Sequence, residues 1–472
     1  MRHLRCLAFA TGLLLACTAA IARDAPPPFG GVASIADERL DPEFWIARAP
    51  EPDRVLLDRT AIDARNARLL AEDPSMHDLD ALPATLTRAQ VKGWIEALAS
   101  PPDRTLHDVS GKPVAAETIA AILDARALDT IPRTQPLRHG LVVRRADLRA
   151  FPTALRVFRD ADDHDIDRFQ ESALFPGERV VIVHASRDGA WRFVLSRRYA
   201  AWIAADAMAE GPAGLVLGYA HARAWRVVTG AQVRTVFTPE QPALSSLVLD
   251  MGLRLPRATP PADGMVNGQH AYAGWPVVLP LRDANGRLAL APALLPRAAD
   301  TAPDYLPPTR ANLIRQGFKF LGERYGWGHA YDGRDCSGFV SEIYRSMGLD
   351  LPRNTRDQSV SPALDPRAFG AADTPAARRA FVRALDVGDL VYIPGHVMMV
   401  IGSLDGEPWV IHDTTGITYR GADGRLSREK LNGVSVTPLL PLVFDGKNTY
   451  VERMTSVVHL VPDHATRANA SP

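Results

Sequence analysis

The spacing of hydrophobic residues changes twice along this chain, and that change restricts it to a multidomain arrangement. Up to about residue 145 the apolar positions recur mainly at helical spacing. From about residue 148 they fall into short strand-like runs, and beyond residue 309 both patterns occur in one stretch. Helices and strands expose their apolar faces with different periods, so stretches this different need separate cores. A length of 472 residues fits that division, with roughly three domains of about 150 residues each.

The first stretch, residues 33–145, reads as a helical segment. Phe44, Trp45 and Ile46 form an apolar anchor, and Thr87 with Gln90 three residues later is a capping-box signature before Val91, Trp94, Ile95 and Leu98. Residues 148–209 carry the apolar run Val180–Val183, a turn at Arg187, Asp188 and Gly189, and alternation from Trp191 to Leu195. Short strands with tight turns predict a small SH3-like barrel. Residues 211–297 predict a second barrel, with Asn285-Gly286 as a hairpin turn. A proline-rich linker at 296–308 precedes the last domain, 309–463, where helices followed by strands predict an α+β fold.

The N-terminus reads as a secretory signal over residues 1–22. Arg2, His3 and Arg5 precede an apolar run that ends in Ala20-Ile21-Ala22, a small-x-small cleavage pattern. A competing reading takes Leu14-Leu15-Ala16-Cys17 as a lipobox, with Cys17 lipidated as the membrane anchor. Both readings export the protein to the periplasm or cell envelope. Both also leave Cys336 as the free thiol, since the other cysteines are Cys6 and Cys17. A formal net charge of zero argues against a nucleic-acid partner. No cofactor is expected, and one cysteine with two histidines lacks the paired short spacings of a metal site. His77, His107 and His139 stand singly and read as solvated or core residues.

Cys336 sits where the loop Tyr331-Asp332-Gly333-Arg334-Asp335 gives way to a helix. Phe339, Val340, Ile343, Tyr344 and Met347 recur on one face of that helix, and Gly348 supplies a stop signal. A thiol at a helix N-terminus meets unpaired N–H groups and the positive end of the macrodipole, which favours thiolate. A cysteine nucleophile also needs a base and a group that orients it. His396 opens the strand Val397–Ile401 after a turn, and His412 ends the next apolar strand. In an antiparallel pair, the start of one strand lies beside the end of the next.

These residues carry a resemblance. Asp335-Cys336-Ser337-Gly338-Phe339-Val340, preceded by Tyr325-Gly326-Trp327-Gly328 and followed by Gly388-Asp389-Leu390, His396 and His412, resemble the NlpC/P60 cysteine peptidases. These are papain-like bacterial cell-wall endopeptidases. The resemblance implies Cys336 as nucleophile, His396 as general base and His412 as its orienting residue, with the Cys336 N–H as oxyanion donor. It implies a γ-D-glutamyl–diaminoacyl bond in peptidoglycan stem peptides as the target. Asp335, Ser337, Tyr325 and Trp327 then become candidate substrate contacts, Asp335 being equally readable as a helix cap. Phe169 in the loop 163–169 is the candidate for a barrel residue that walls the cleft. Arg353 and Gln358 match a family loop and read as structural or rim residues. His329, where the family often has glycine, reads as a surface or subsite residue. Two other functions stay open: an amidase or acyltransferase using the same thiol, and a catalytically inactive wall-binding protein.

Overall fold

The computed structural model describes residues 35–421 and 423–461, so the expected signal segment and Cys17 lie outside the described residues. Helix α1 (Pro42–Ile46) starts with Asp41, whose carboxylate accepts the Glu43 N–H, and it buries Trp45 and Ile46. Trp45 packs into the core of the C-terminal domain, which it shares with Ile62 and Leu69. Its ring lies 5.4 Å from that of Trp409 in the C-terminal domain, and a Cβ at Gly402 would come within 3.0 Å of it. Helix α2 (Arg59–Glu72) extends the clamp, with Arg59, Arg65 and Asn66 donating to the carbonyls of Met347, Leu460 and Gly348. Helix α3 (Arg88–Leu98) begins with the Thr87–Gln90 capping box and sets Val91 and Ile95 against Val181, Phe193 and Trp202.

That partner surface belongs to a seven-stranded antiparallel sheet. Its strands are β1 (Arg138–Val142), β2 (Ala146–Arg149), β3 (Gln170–Leu174), β4 (Arg179–Ala185), β5 (Trp191–Leu195), β6 (Ala200–Ala204) and β7 (Met208–Gly211), in the order β3-β2-β6-β5-β4-β1-β7. The sheet reaches beyond the barrel boundaries read from the sequence. Arg138–Val142, placed there in the helical segment, pairs with both β4 and β7. The turn between β4 and β5 is the expected one, with Gly189 at φ 72° and Asp188 accepting the Ser186 hydroxyl.

Residues 225–302 form a second β unit of short two- and three-stranded sheets beside the long hairpin β8 (Gly274–Arg282) and β9 (Leu288–Pro296). Its turn places Gly286 at φ 79°, a conformation glycine adopts at no steric cost. Val228, Leu249, Leu255, Val277, Leu279 and Leu295 share one core with Ala173 and Phe175 from β3 and its C-terminal side, so the two β units are packed together.

The C-terminal domain sets helices α4 (Arg310–Phe318) and α5 (Cys336–Arg345) on an antiparallel sheet. That sheet comprises β10 (Leu390–Ile393), β11 (His396–Leu404), β12 (Glu407–Thr414), β13 (Gly433–Pro438) and β14 (Ser456–Val458), ordered β14-β10-β11-β12-β13 with Arg367–Ala368 at the outer edge of β14. Alternation divides β11 between two cores: Val397, Met399 and Ile401 face α5, whereas Met398 and Val400 face Val382, Tyr450 and Val451. The five apolar residues of the α5 face are each at most 1% exposed. Burying a side chain of this size contributes about 1.5–3 kcal/mol. That face therefore fixes where the first turn of α5, and with it Cys336, meets the sheet.

Candidate active site

The loop before α5 has a backbone that few sequences tolerate: Gly328, His329, Tyr331 and Asp332 all have φ between 57° and 63°. Buried ion pairs hold it. Arg334, with no exposed side-chain surface, donates to Glu342 at 2.8 Å, Glu323 at 2.6 Å and Asp250 at 2.8 Å. Arg145 from the turn between β1 and β2 bonds the same Asp250 and donates to the carbonyls of His329 and Gly333. Three parts of the chain thus meet on one loop.

Asp335 ends the loop and caps α5, its Oδ1 accepting the Gly338 N–H at 2.8 Å. Arg353 reaches both of its oxygens, at 3.1 and 2.9 Å, and also donates to Ser337 Oγ, Ser172 Oγ and His329 Nδ1. Oδ2 accepts the Gly328 N–H as well. Burial opposes ionisation of Asp335, but Arg353 and the helix-terminal N–H more than offset it and hold the carboxyl at about 2. Asp335 is therefore a capped, fully partnered anion, which is the helix-cap reading of this residue.

His329 is buried at 4% exposure, not on the surface. Arg353 can only donate, so His329 Nδ1 is the acceptor and its Nε2–H points to Glu342 Oε1 at 3.2 Å. Burial, reinforced by Arg353, pushes its pKa well below the ordinary value, which keeps the ring neutral. A Cβ on Gly338 would lie 2.4 Å from this ring, so His329 and a glycine in the first turn of α5 require each other.

Cys336 is 5% exposed. Its Sγ lies 3.5 Å from the hydroxyl of Thr355, and the Val397 N–H at the start of β11 faces the sulfur. Among the described residues no hydrogen bond joins the thiol to an imidazole. Burial, and then the Asp335 charge, push the thiol up to about 12, outweighing the helix terminus. These effects oppose the thiolate expected from the helix position. The Cys336 N–H, at the first helical position, has no intrahelical partner.

His396 precedes Val397, and its Nε2 lies 2.8 Å from His412 Nδ1; His412 Nε2 lies 3.0 Å from Thr437 Oγ1. Continuing the Met399–Ile411 pairing by one step puts His412 opposite Met398, so the two rings meet diagonally, with centroids 5.1 Å apart. Burial lowers His396 to about 4, and burial with His396 beside it holds His412 well below the ordinary value. Both rings are neutral, and in the tautomer in which His396 Nε2–H donates to His412 Nδ1 and His412 Nε2–H donates to Thr437 Oγ1, His396 Nδ1 is left to accept a proton.

Tyr325 is buried near Cys336, its pKa pushed well above the ordinary value by burial and by the neighbouring thiol. Trp327 is 36% exposed at the rim and donates from Nε1 to the Gln170 carbonyl on β3. Phe169 is buried against Phe151 inside its own β unit and does not reach the cleft. Glu171 and Tyr199 of that unit, joined by a 2.5 Å hydrogen bond, lie near Arg353. Burial raises the Glu171 pKa against the pull of that bond, and Arg353 stands nearby. Neither Glu171 nor Tyr199 was singled out as a site residue from the sequence. Asp413, next to His412, was also missed: it is fully buried, and neither carboxylate oxygen has a hydrogen-bond partner among the described residues. Burial, then Asp335 and Glu323, push its pKa well above the ordinary value. Gln358 is buried and donates to the Ser337 and Pro352 carbonyls and Ser341 Oγ, a structural placement.

Comparisons with known proteins follow this division of the chain. A family model for the SH3 domain of the SH3b1 type matches residues 156–204, and the NlpC/P60 family model matches residues 322–436. A curated protein of Bacillus cereus, gamma-D-glutamyl-L-lysine dipeptidyl-peptidase, is 44% identical over 57 residues, which span 12% of this chain and 17% of that protein. A solved NlpC/P60 endopeptidase from Photobacterium damselae subsp. piscicida superposes with a TM-score of 0.70 over 87% of this chain and 95% of its own, at 16% identity, a likeness of fold. The chain carries an SH3 domain of the SH3b1 type and a C-terminal domain of the NlpC/P60 family.

Proposed function

We propose that this chain is an exported cysteine endopeptidase that hydrolyses peptidoglycan stem peptides at the γ-D-glutamyl–diaminoacyl bond. The observation that carries the reading is the Cys336 thiol at the start of α5, the one cysteine among the described residues, set against the first residues of β11, beside a His396–His412–Thr437 chain. Cys336 Sγ attacks the γ-carbonyl carbon while its proton passes to His396 Nδ1, so no thiolate need exist beforehand. The Cys336 N–H donates to the developing oxyanion. The imidazolium, steadied by His412, then protonates the leaving amine and leaves a thioester. Water, deprotonated by His396, attacks that thioester and frees the carboxylate and the thiol.

Glu171 with Tyr199 supports recognition of a free amino terminus on the peptide. An ammonium placed there would meet a carboxylate not already claimed by a guanidinium bond, whereas both oxygens of Asp335 are taken. The specific bond follows the curated relative, which is named for a γ-D-glutamyl-L-lysine bond. Cys336→Ala and His396→Ala are each expected to abolish release of cleaved peptide from stem peptides while melting like the parent. Undiminished cleavage by either variant would overturn the assignment.

A further inference from the structure

A cavity of about 340 Å³ lies where the loop after α2, the turn between β3 and β4, the second β unit and the end of α5 meet. Cys336, His396 and Glu171 are not among the residues that line it, whereas Tyr199 and Arg353, which bond Glu171 and Asp335, are, so it adjoins the proposed reaction centre without containing the thiol. Its polar lining is rich in guanidinium groups. Four of them have carboxylates: Arg179 bonds Asp80 at 2.5 Å, Arg197 bonds Asp350 at 2.9 Å, Arg345 bonds Glu178 at 2.9 Å and Arg353 bonds Asp335 at 2.9 Å.

Arg198 and Arg254 are left over. Arg198 makes no side-chain hydrogen bond among the described residues. Its nearest acid is Glu178 at 3.7 Å, already held by Arg345, and its side chain is 15% exposed. Burial and the proximity of Arg345 lower its pKa to about 10, the sign of a cation short of counter-charge. Arg254 lies 3.7 Å over the Trp225 ring, donates a 3.4 Å bond to the Ala222 carbonyl and hydrogen-bonds the Tyr305 side chain, but it has no carboxylate partner among the described residues, and its Nε has no partner. A fold seldom retains guanidiniums without a carboxylate of their own around a cavity, because burying an unpaired cation is costly. Leu79, Leu174, Leu253 and Pro256 add apolar surface to a wall that also carries His77, Asp78, Ser196 and His221. Guanidinium forks suit carboxylates, and the apolar surface suits a carbon skeleton more than a bare inorganic ion.

We propose that this cavity binds a small organic carboxylate through Arg198 and Arg254. The site stands behind the reaction centre and shares Tyr199, Ser172 and Arg353 with its outer wall. Occupancy therefore bears on the Glu171 and Asp335 side of the cleft through groups already in contact with it. The inference does not depend on the peptidase reading.

The test is thermal unfolding of the full chain in citrate, N-acetylglutamate or inorganic phosphate, each against sodium chloride at matched ionic strength. A saturable rise in Tm with the two organic acids is expected, equal in Cys336→Ala. Arg198→Gln is expected to shift half-saturation by about tenfold or more, the loss of a hydrogen bond from a charged group; Arg198→Lys should fall between. Without ligand, Arg198→Gln should melt no lower than the parent, since it loses no hydrogen bond. No saturable rise, an equal rise in Arg198→Gln, loss of the rise in Cys336→Ala, or phosphate acting as well as the organic acids would each overturn the proposal.

Discussion

Replacing Arg353 by methionine removes one side chain and disconnects four residues. Arg353 is buried and donates to Asp335, Ser337, Ser172 and His329, at distances from 2.6 to 3.1 Å. The cost divides into two parts. Asp335 is held at about 2 against an ordinary 3.8, and at about 1.4 kcal/mol for each tenfold change in proton affinity this corresponds to about 2 kcal/mol of folded-state stabilisation. The group has a depressed pKa, so that stabilisation is present above pH 3.8 and is lost as pH falls towards 2. The remainder comes from the unpaired acceptors Ser172 and His329, and breaking a buried pair in this way costs about 3–5 kcal/mol in all. Denaturant unfolding at pH 7 should show a loss of that size in Arg353→Met. The double variant Arg353→Met/Asp335→Asn should recover more than half of it, because asparagine caps a helix as well as aspartate but brings no buried charge. A single variant within about 0.5 kcal/mol of the parent, or a double variant weaker than either single one, would refute the reasoning.

Three further outcomes follow from the same geometry. Alkylation of Cys336 by iodoacetamide should keep rising through pH 9, since the resting thiol is pushed up to about 12; a plateau between pH 5 and 8 would instead indicate a standing thiolate–imidazolium pair. Asp413 has a raised pKa, so it penalises the folded state increasingly as pH rises above the ordinary carboxyl value. Asp413→Asn should therefore flatten the pH dependence of Tm above pH 4, and an unchanged slope would show that the acid is not held neutral. Glu171→Gln should raise KM at least about tenfold for stem peptides with a free amino terminus and leave N-acetylated peptides unaffected, a difference expected of one charge-assisted contact.

The parts of this molecule legible in the sequence are those decided locally. The α5 face was readable because Phe339, Val340, Ile343, Tyr344 and Met347 recur at helical spacing, and all are buried. His396 and His412 were readable because they flank two consecutive strands joined by a tight turn, which leaves them few places to go. The Asn285-Gly286 hairpin needed only a residue free to adopt positive φ. What was not legible depends on pairs far apart in sequence. Nothing near Arg334 indicates that Asp250 would neutralise it, and nothing near His329 indicates that Arg353 would donate to its ring. The thiol was misread for the same reason: the helix terminus is a local effect, whereas the burial and the Asp335 charge that outweigh it are consequences of tertiary packing. Trp45 is the converse case, an evident anchor whose partner Trp409 lies at the far end of the chain. Glu171 and Tyr199 come from two strand regions of the N-terminal β unit, and only the packing of that unit on the C-terminal domain brings them near Arg353.

The central claim is that hydrolysis passes through a thioester on Cys336. Rapid acid quenching of the protein with a γ-D-glutamyl stem peptide, followed by intact and peptide-level mass measurement, tests it most directly. The account predicts a transient mass increase equal to the acyl half of the substrate, located on the peptide containing Cys336 and absent from Cys336→Ala. Turnover by the parent with no adduct at any quench time, or an adduct that persists in Cys336→Ala, would contradict it.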